Sequence, residues 1–362
     1  MRCALLAAAC LCVAPASAAP PDDPLQHVTI IYARGGSLYK SDARGKNEVE
    51  VATLPAKATV RALRTDAGGR ILLVDLAGKW SWLPLDGNAK TLSDLPCADG
   101  PAQLAEDAAC VLCRSVTAAG QSIIVNLATG KQTPIAIPAP GTRIAGTGKD
   151  RKLVWADTGG IWTAPPGAPQ QKKLVAPQAP VRHFSPSPDG LRAVGIYQDD
   201  VYVGGPRKKQ QADVLEGFQL DGQGVRRKGI RNGVPVEWSH DNEYVLVQDG
   251  GKACLMRAIG GQYKCWRGYT GVSLAPDGSY ALLLGNRDKK ADTPKPTKKD
   301  KPKDAPAGGD VEGEGEGDAD DDVPVPPPSG PLSLYRAELN GPYTAAPALI
   351  ARVVDGAAVW VP

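Results

Sequence analysis

One phrase recurs down this chain and constrains its fold more than any other feature: an apolar or aromatic residue, then Ser or Ala, then a turn on Asp, then a short strand. Trp238-Ser239-His240-Asp241-Asn242 precedes Tyr244-Val245-Leu246-Val247, and Leu274-Ala275-Pro276-Asp277-Gly278 precedes Tyr280-Ala281-Leu282-Leu283-Leu284. Phe184-Ser185-Pro186-Ser187-Pro188-Asp189-Gly190 introduces Arg192-Ala193-Val194-Gly195-Ile196-Tyr197 in the same way. Taking Asp66, Asp107, Asp150, Asp189, Asp241 and Asp277 as the repeat turns gives spacings of 41, 43, 39, 52 and 36 residues by subtraction. Self-similarity at about forty residues is the mark of an all-β propeller, in which each repeat is one four-stranded antiparallel blade. Short runs alternate within each repeat, such as Ile71 to Val74 then Trp80 to Leu83, joined by Ala-Gly, Thr-Gly or Asp-Gly pairs that suit positive-φ hairpin turns. Trp80, Trp155 and Trp162 then read as blade-packing residues.

The two ends of the chain supply the count. Val28 to Ala33, Ser37 to Lys40 and Val49 to Thr53 form three strands without an innermost partner, and the chain ends in Ala357-Ala358-Val359-Trp360-Val361-Pro362. A blade completed by both termini would close the ring and remove open sheet edges. Six internal repeats plus this composite one make seven blades, with six or eight still open at this point. Residues 19–286 form the first part of the propeller and 331–362 the last part with the closing strand. Residues 287–330 interrupt the sixth internal repeat. That insertion is rich in Lys and Pro first, then in Gly and acids from Asp310 to Asp322, with little apolar to bury, and is expected to be disordered. Its Gly-Glu alternation lacks the spacing that wraps Ca²⁺, so no metal is expected there.

Residues 1–18 carry Arg2, an apolar run from Ala4 to Val13, and small residues at Ala16 and Ala18, the pattern of a cleaved secretory signal peptide. Lipid attachment at Cys10 is a weaker alternative. No later segment is long and apolar enough to span a bilayer. A periplasmic or secreted protein is the expectation. Of the eight cysteines, Cys3, Cys10 and Cys12 leave with the leader. Cys254 and Cys265 flank a hairpin turn at Ile259-Gly260-Gly261, in a register that sets them opposite each other as a disulfide. Cys97, Cys110 and Cys113 form a second group, in which Cys97 pairs with either of the other two. The Cys110-Val111-Leu112-Cys113 spacing does not make a zinc or redox site on a strand, because its two thiols diverge. The net charge of +3 and scattered basic residues argue against nucleic acid as a partner.

The repeat resembles the WD40-like (PD40-type) blades of the TolB family, whose phrase is Trp/Phe-Ser-Pro-Asp-Gly. The matching residues are Phe184, Pro188, Asp189 and Gly190; Trp238, Ser239 and Asp241; and Leu274, Pro276, Asp277 and Gly278. The resemblance implies a propeller working in the cell envelope.

Chemistry is sparse. Only His27, His183 and His240 are available as bases, and no Gly-x-Ser-x-Gly elbow accompanies them. The inner strands should line a central channel, with Arg61, Arg143, Arg182, Glu237 and Ser273 facing it, His183 near its mouth and Arg231 at a rim loop. Several arginines converging on a funnel suit a carboxylate-bearing ligand or an acidic peptide. The reading this supports is an exported, non-enzymatic, monomeric scaffold that binds an envelope or extracellular protein and needs no cofactor. The alternatives are a channel-centred lyase or glycoside hydrolase around Glu237, His183 and Arg182, or a purely structural envelope domain.

Overall fold

The computed structural model describes Leu25 and residues 28–361, apart from 88–89, 118–120, 136–141, 203–208, 221–225, 260–262, 277, 287–330 and 340–344. Residues 1–18, expected to be a signal peptide, and His27, Asp277 and the charged stretch 287–330 therefore lie outside the described residues. Within them, the strands form seven four-stranded antiparallel sheets. Blade 1 combines the terminal strand Ala358–Val361 with Thr29–Arg34, Ser37–Asp42 and Val49–Thr53. The inner strands of blades 2 to 7 are Val60–Thr65, Gln103–Leu104, Arg143–Ala145, Arg182–Pro186, Val234–Trp238 and Tyr269–Leu274. In blade 1 the two chain ends pair directly, with Ile31 opposite Val359 and Ile30 opposite Trp360.

Seven apolar clusters occupy the seven interfaces between neighbouring blades. Blade 1 shares one cluster with blade 2 through Ile31, Leu38, Leu63 and Val74, and another with blade 7 through Ile30, Tyr32, Leu282 and Leu334. The other five clusters join blades 2 to 7 in succession. The ring is thus closed by core packing as well as by hydrogen bonds. Alternate residues of a middle strand face opposite neighbours, so both faces are buried and runs such as Leu72-Leu73-Val74 or Ala281-Leu282-Leu283 stay continuously apolar. Trp80 and Trp155 are buried in these clusters, and Trp162 packs against one of them from its edge.

The recurrent phrase acts as a turn and as a clamp between blades. The Ser187 hydroxyl donates to Asp189 Oδ1 (2.5 Å) and accepts from Arg192 N (3.0 Å), while Leu191 N donates to Asp189 Oδ1 (2.9 Å). Ser239, Asp241, Glu243 and Tyr244 repeat these contacts. The residue three places after the Ser position has positive φ in five of the six copies, at Gly69, Ala108, Gly190, Asn242 and Gly278. Glycine is the default there because an L side chain is strained in that region. At Gly190 a Cβ would also lie 2.7 Å from Ala145 Cβ of blade 4, so the glycine lets adjacent blades approach. Neighbouring copies bond to each other as well, through Asn242 Oδ1 accepting from Asp189 N (3.2 Å) and Arg192 paired with Glu243 (3.0 Å). The 52-residue spacing has a simple cause: the second and third strands of blade 5, Arg192–Tyr202 and Lys209–Gln219, are each 11 residues long.

Two disulfides brace the sheets. Cys254 and Cys265 lie opposite each other in the register expected. Cys97 pairs with Cys113, so the Cys97–Cys110 alternative is set aside. Cys97 bridges to Ser115, and Cys113 lies two residues earlier on the same face as its diagonal neighbour. Cys110 points the other way, into the cluster between blades 3 and 4, and is free and buried. Burial pushes its thiol up from the ordinary range. Titration of a protein beginning after residue 18, in denaturant without reductant, should find one free thiol per chain, and the native protein should react slowly or not at all. A count of three would mean that one bridge is missing. Replacing both Cys97 and Cys113 with Ser should lower stability by about 3 kcal/mol in urea unfolding, as expected for a loop of this size.

Candidate functional site: the axial channel

The inner strands surround a channel whose aim is set by bulges. The ladder between the first and second strands slips at Val60/Ala62, Arg182/Ser185, Pro235/Glu237 and Gly271/Ser273. Each slip reverses which residues face the axis, and bulges are a recurrent way of aiming a side chain. At the blade 5 bulge His183 adopts φ 53°, a strained conformation for a non-glycine residue.

Two cavities meet in the channel. The larger, about 380 Å³, is bordered by Arg64, Glu106, Arg143, His183, Glu237 and His240. The second, about 240 Å³, takes the starts of the inner strands of blades 2 and 7 together with Gly356 to Ala358. Arg64 and Glu237 border both, placing them at the waist.

The carboxylate of Glu237 is fixed from the next blade. Its Oε2 accepts from Leu274 N at 2.6 Å, and the Ser273 hydroxyl donates to it. Ser273 Oγ in turn accepts from Trp360 N (3.3 Å), so one short chain of hydrogen bonds ties blades 6, 7 and 1 at the axis. Burial pushes the Glu237 carboxyl above its usual range despite these donors and the attraction of Arg64 and His240. The folded protein therefore takes up this proton at a higher pH than the unfolded chain does. Its contribution to stability is most favourable below the ordinary carboxylate range and is lost as pH rises through the folded value. Glu237→Gln should remove that part of the pH slope and leave the protein at least as stable at pH 7. Glu237→Ala, which strands the Leu274 N–H, should cost about 1–3 kcal/mol. Urea titrations across pH would separate the two.

Arg143 Nη1 donates to Pro186 O (2.9 Å), joining blades 4 and 5. Burial holds its guanidinium below the usual arginine range, opposed by the charges of Glu106 and Glu237 and reinforced by that of Arg64. Arg64 Nε, Arg143 Nε and His240 Nδ1 are shut off from solvent and have no hydrogen-bond partner among the described residues.

The structure brings together Arg143, His183 and Glu237 of the residues expected at the channel. Arg61 borders the second cavity but is exposed and paired with Asp99 (3.3 Å). Arg182 sits on an inner strand, yet its side chain pairs with Asp213 and borders neither cavity. Arg231 ends the outermost strand of blade 5, Arg226–Arg231, so its expected place at a rim loop is corrected. Sequence reasoning missed Arg64 and Glu106 and left His240 without a role. Their signal was position, because each lies one or two residues before Asp66, Asp107 or Asp241, where an inner strand ends at its turn. Among the described residues no group of His, Cys, Asp or Glu is arranged to hold a metal ion.

Fold and channel together define a seven-bladed β-propeller with arginines, histidines and carboxylates at its axis. No family model matches the sequence, and no curated protein does. Among solved structures, a putative 6-phosphogluconolactonase from Bacteroides fragilis is 13% identical over 92% of this chain and 98% of its own, with a TM-score of 0.47. A putative TolB from Agrobacterium tumefaciens is 13% identical over 90% of this chain and 88% of its own, at a TM-score of 0.41. TolB from Acinetobacter baumannii is 12% identical over 64% of this chain, which spans 61% of that protein, at a TM-score of 0.44.

Proposed function

We propose that this protein is an exported, non-enzymatic scaffold that holds a protein partner in the periplasm or outside the cell. The observation that carries the reading is the long hairpin of blade 5. The inner strand follows it only as far as the pair Arg182 with Ile196, and the outer strand as far as Arg231 with Val214. Its own two strands stay paired well beyond both points, through Asp200 with Gln211 to Tyr202 with Lys209. A two-stranded ribbon reaching past its sheet is a projection that a protein partner can grip. Val181, just before the inner strand of blade 5, and Val234, at the start of that of blade 6, are exposed and suit an apolar contact.

Two disulfides fit an oxidising compartment, where such bonds persist. No helix among the described residues is long and apolar enough to cross a membrane. The contacts that fix Glu237 to Leu274 and draw Arg182 to Asp213 weigh against a catalytic centre built from those two and His183.

The test is crosslinking in intact envelopes followed by capture. The native protein is compared with one in which residues 199–212 are replaced by Asn-Gly, joining the paired Gln198 and Asp213 through a two-residue turn. The scaffold reading expects one specific envelope protein with the native form and its loss with the shortened hairpin at unchanged thermal stability. Equal recovery from both forms, or no specific protein from either, would contradict it.

A further inference from the structure

Two guanidinium groups converge on the larger axial cavity with their hydrogen-bonding capacity only partly used. Arg64 comes from blade 2 and Arg143 from blade 4. Neither takes part in an ion pair among the described residues, and both keep Nε–H uncommitted. Each therefore carries an N–H donor that no protein acceptor among the described residues satisfies, the kind of orphan group that a carboxylate oxygen can meet.

The charges around them do not cancel in place. Of the two carboxylates at the cavity, that of Glu237 is already bonded to Leu274 N and Ser273. Glu106 acts on Arg143 only through its field, with no hydrogen bond or ion pair to either arginine. A partly buried guanidinium without a close counter-charge is under-compensated, and an anion entering the cavity would supply that counter-charge to both arginines. His240, whose buried Nδ1 also has no partner among the described residues, borders the same cavity.

Size narrows the class. About 380 Å³ is at the small end of ligand sites, which suits a compact molecule of a few carbons better than an extended chain. The wall is mixed, with Ala102, Leu104, Phe184 and Pro235 beside the charged groups. It can therefore cover a short apolar body while the arginines hold the charged end. We infer that the axial cavity is a binding site for a small organic carboxylate, held by Arg64 and Arg143. This site stands apart from the blade 5 hairpin, so it can exist whether or not the scaffold reading is right.

The test is isothermal titration calorimetry at low ionic strength with acetate, succinate and benzoate, and with inorganic phosphate as a separate arm. At least one carboxylate should bind saturably at up to about 10 mM, and more tightly than phosphate. Arg64→Gln and Arg143→Gln should each weaken that binding at least about tenfold, the effect of losing a charge-assisted hydrogen bond. Arg182→Gln, on a side chain outside the cavity, should leave it unchanged. Arg64→Lys and Arg143→Lys keep the charge but lose the guanidinium donors, so they should also bind more weakly, and they serve if the Gln variants fail to fold. Absence of saturable binding by any of the three acids would overturn the inference. So would equal affinity in native protein and folded arginine variants, or binding of phosphate alone.

Discussion

Removing residues 358–362 should abolish the cooperative unfolding transition, and Trp360→Ala alone should lower stability by about 3–5 kcal/mol. The reason is the number of blades that meet at this short strand. Ala358–Val361 is the inner strand of blade 1, paired with Thr29–Arg34 through four residue pairs. Trp360 is 2% exposed and packs in the cluster between blades 7 and 1, with its ring 6.2 Å from that of Tyr280. Its backbone carbonyl accepts from Thr65 Oγ1 of blade 2 (3.1 Å), and its N–H donates to Ser273 of blade 7. Truncation therefore opens the inner edge of blade 1 and leaves polar groups on both neighbours without partners. A domain's net stability is only about 5–15 kcal/mol, so this loss is a large share of the whole. Trp360→Phe should be far milder, because it keeps most of the ring and removes an indole N–H that has no partner among the described residues. Urea unfolding followed by far-UV circular dichroism would rank the variants. Equal midpoints for native protein and Trp360→Ala would show that the strand does not close the ring.

The second large effect is expected at Asp66. Its carboxylate is buried and accepts from Gly68 N (3.2 Å), Arg70 N (2.7 Å), Ile71 N (2.8 Å) and Arg70 Nε (3.0 Å). Measured from the following strand, Asp66 occupies the place of Ser187 and Ser239, five residues before the donor Ile71. One carboxylate thus does in blade 2 what a Ser and an Asp do jointly in blades 5 and 6. Asp66→Ala leaves three backbone donors without their acceptor and should cost about 3–4 kcal/mol. Asp66→Ser restores the acceptor found in the other copies and should recover a substantial part of that loss. Equal destabilisation by Ala and Ser would mean that the turns are not equivalent.

These turns also show what the sequence made legible. Asp and Gly at fixed distances before apolar runs report local backbone demands, so the repeat, the blade count and the shared terminal blade could be read directly. Cys254 and Cys265 were legible for the same reason, since a short hairpin fixes its own register. The axial residues were harder because they depend on bulges. Counting alternate residues along an inner strand assumes an unbroken pleat, and four of these strands slip within their ladder. The expectation therefore fell on Arg61 and Arg182 as well as Arg143, whereas the larger cavity takes Arg64 beside Arg143. Arg231 was misplaced for a related reason. The elongated hairpin moved the boundary of blade 5, so the outermost strand was read as a loop. Cys97 could not be assigned its partner from spacing, because the choice rests on which face of a strand it meets across a non-local bridge.

Ring closure by the two chain ends positions every inner strand around the channel, and a designed crosslink tests it most directly. Ile31 and Val359 are opposite each other in the terminal blade. Cysteines at both positions, in a Cys110→Ser background, should oxidise to an intramolecular disulfide, recovered after proteolysis as one linked peptide from the two ends of the chain. A monomer with no such link, or a link formed only between two chains, would contradict the closed seven-bladed ring and the axial site built on it.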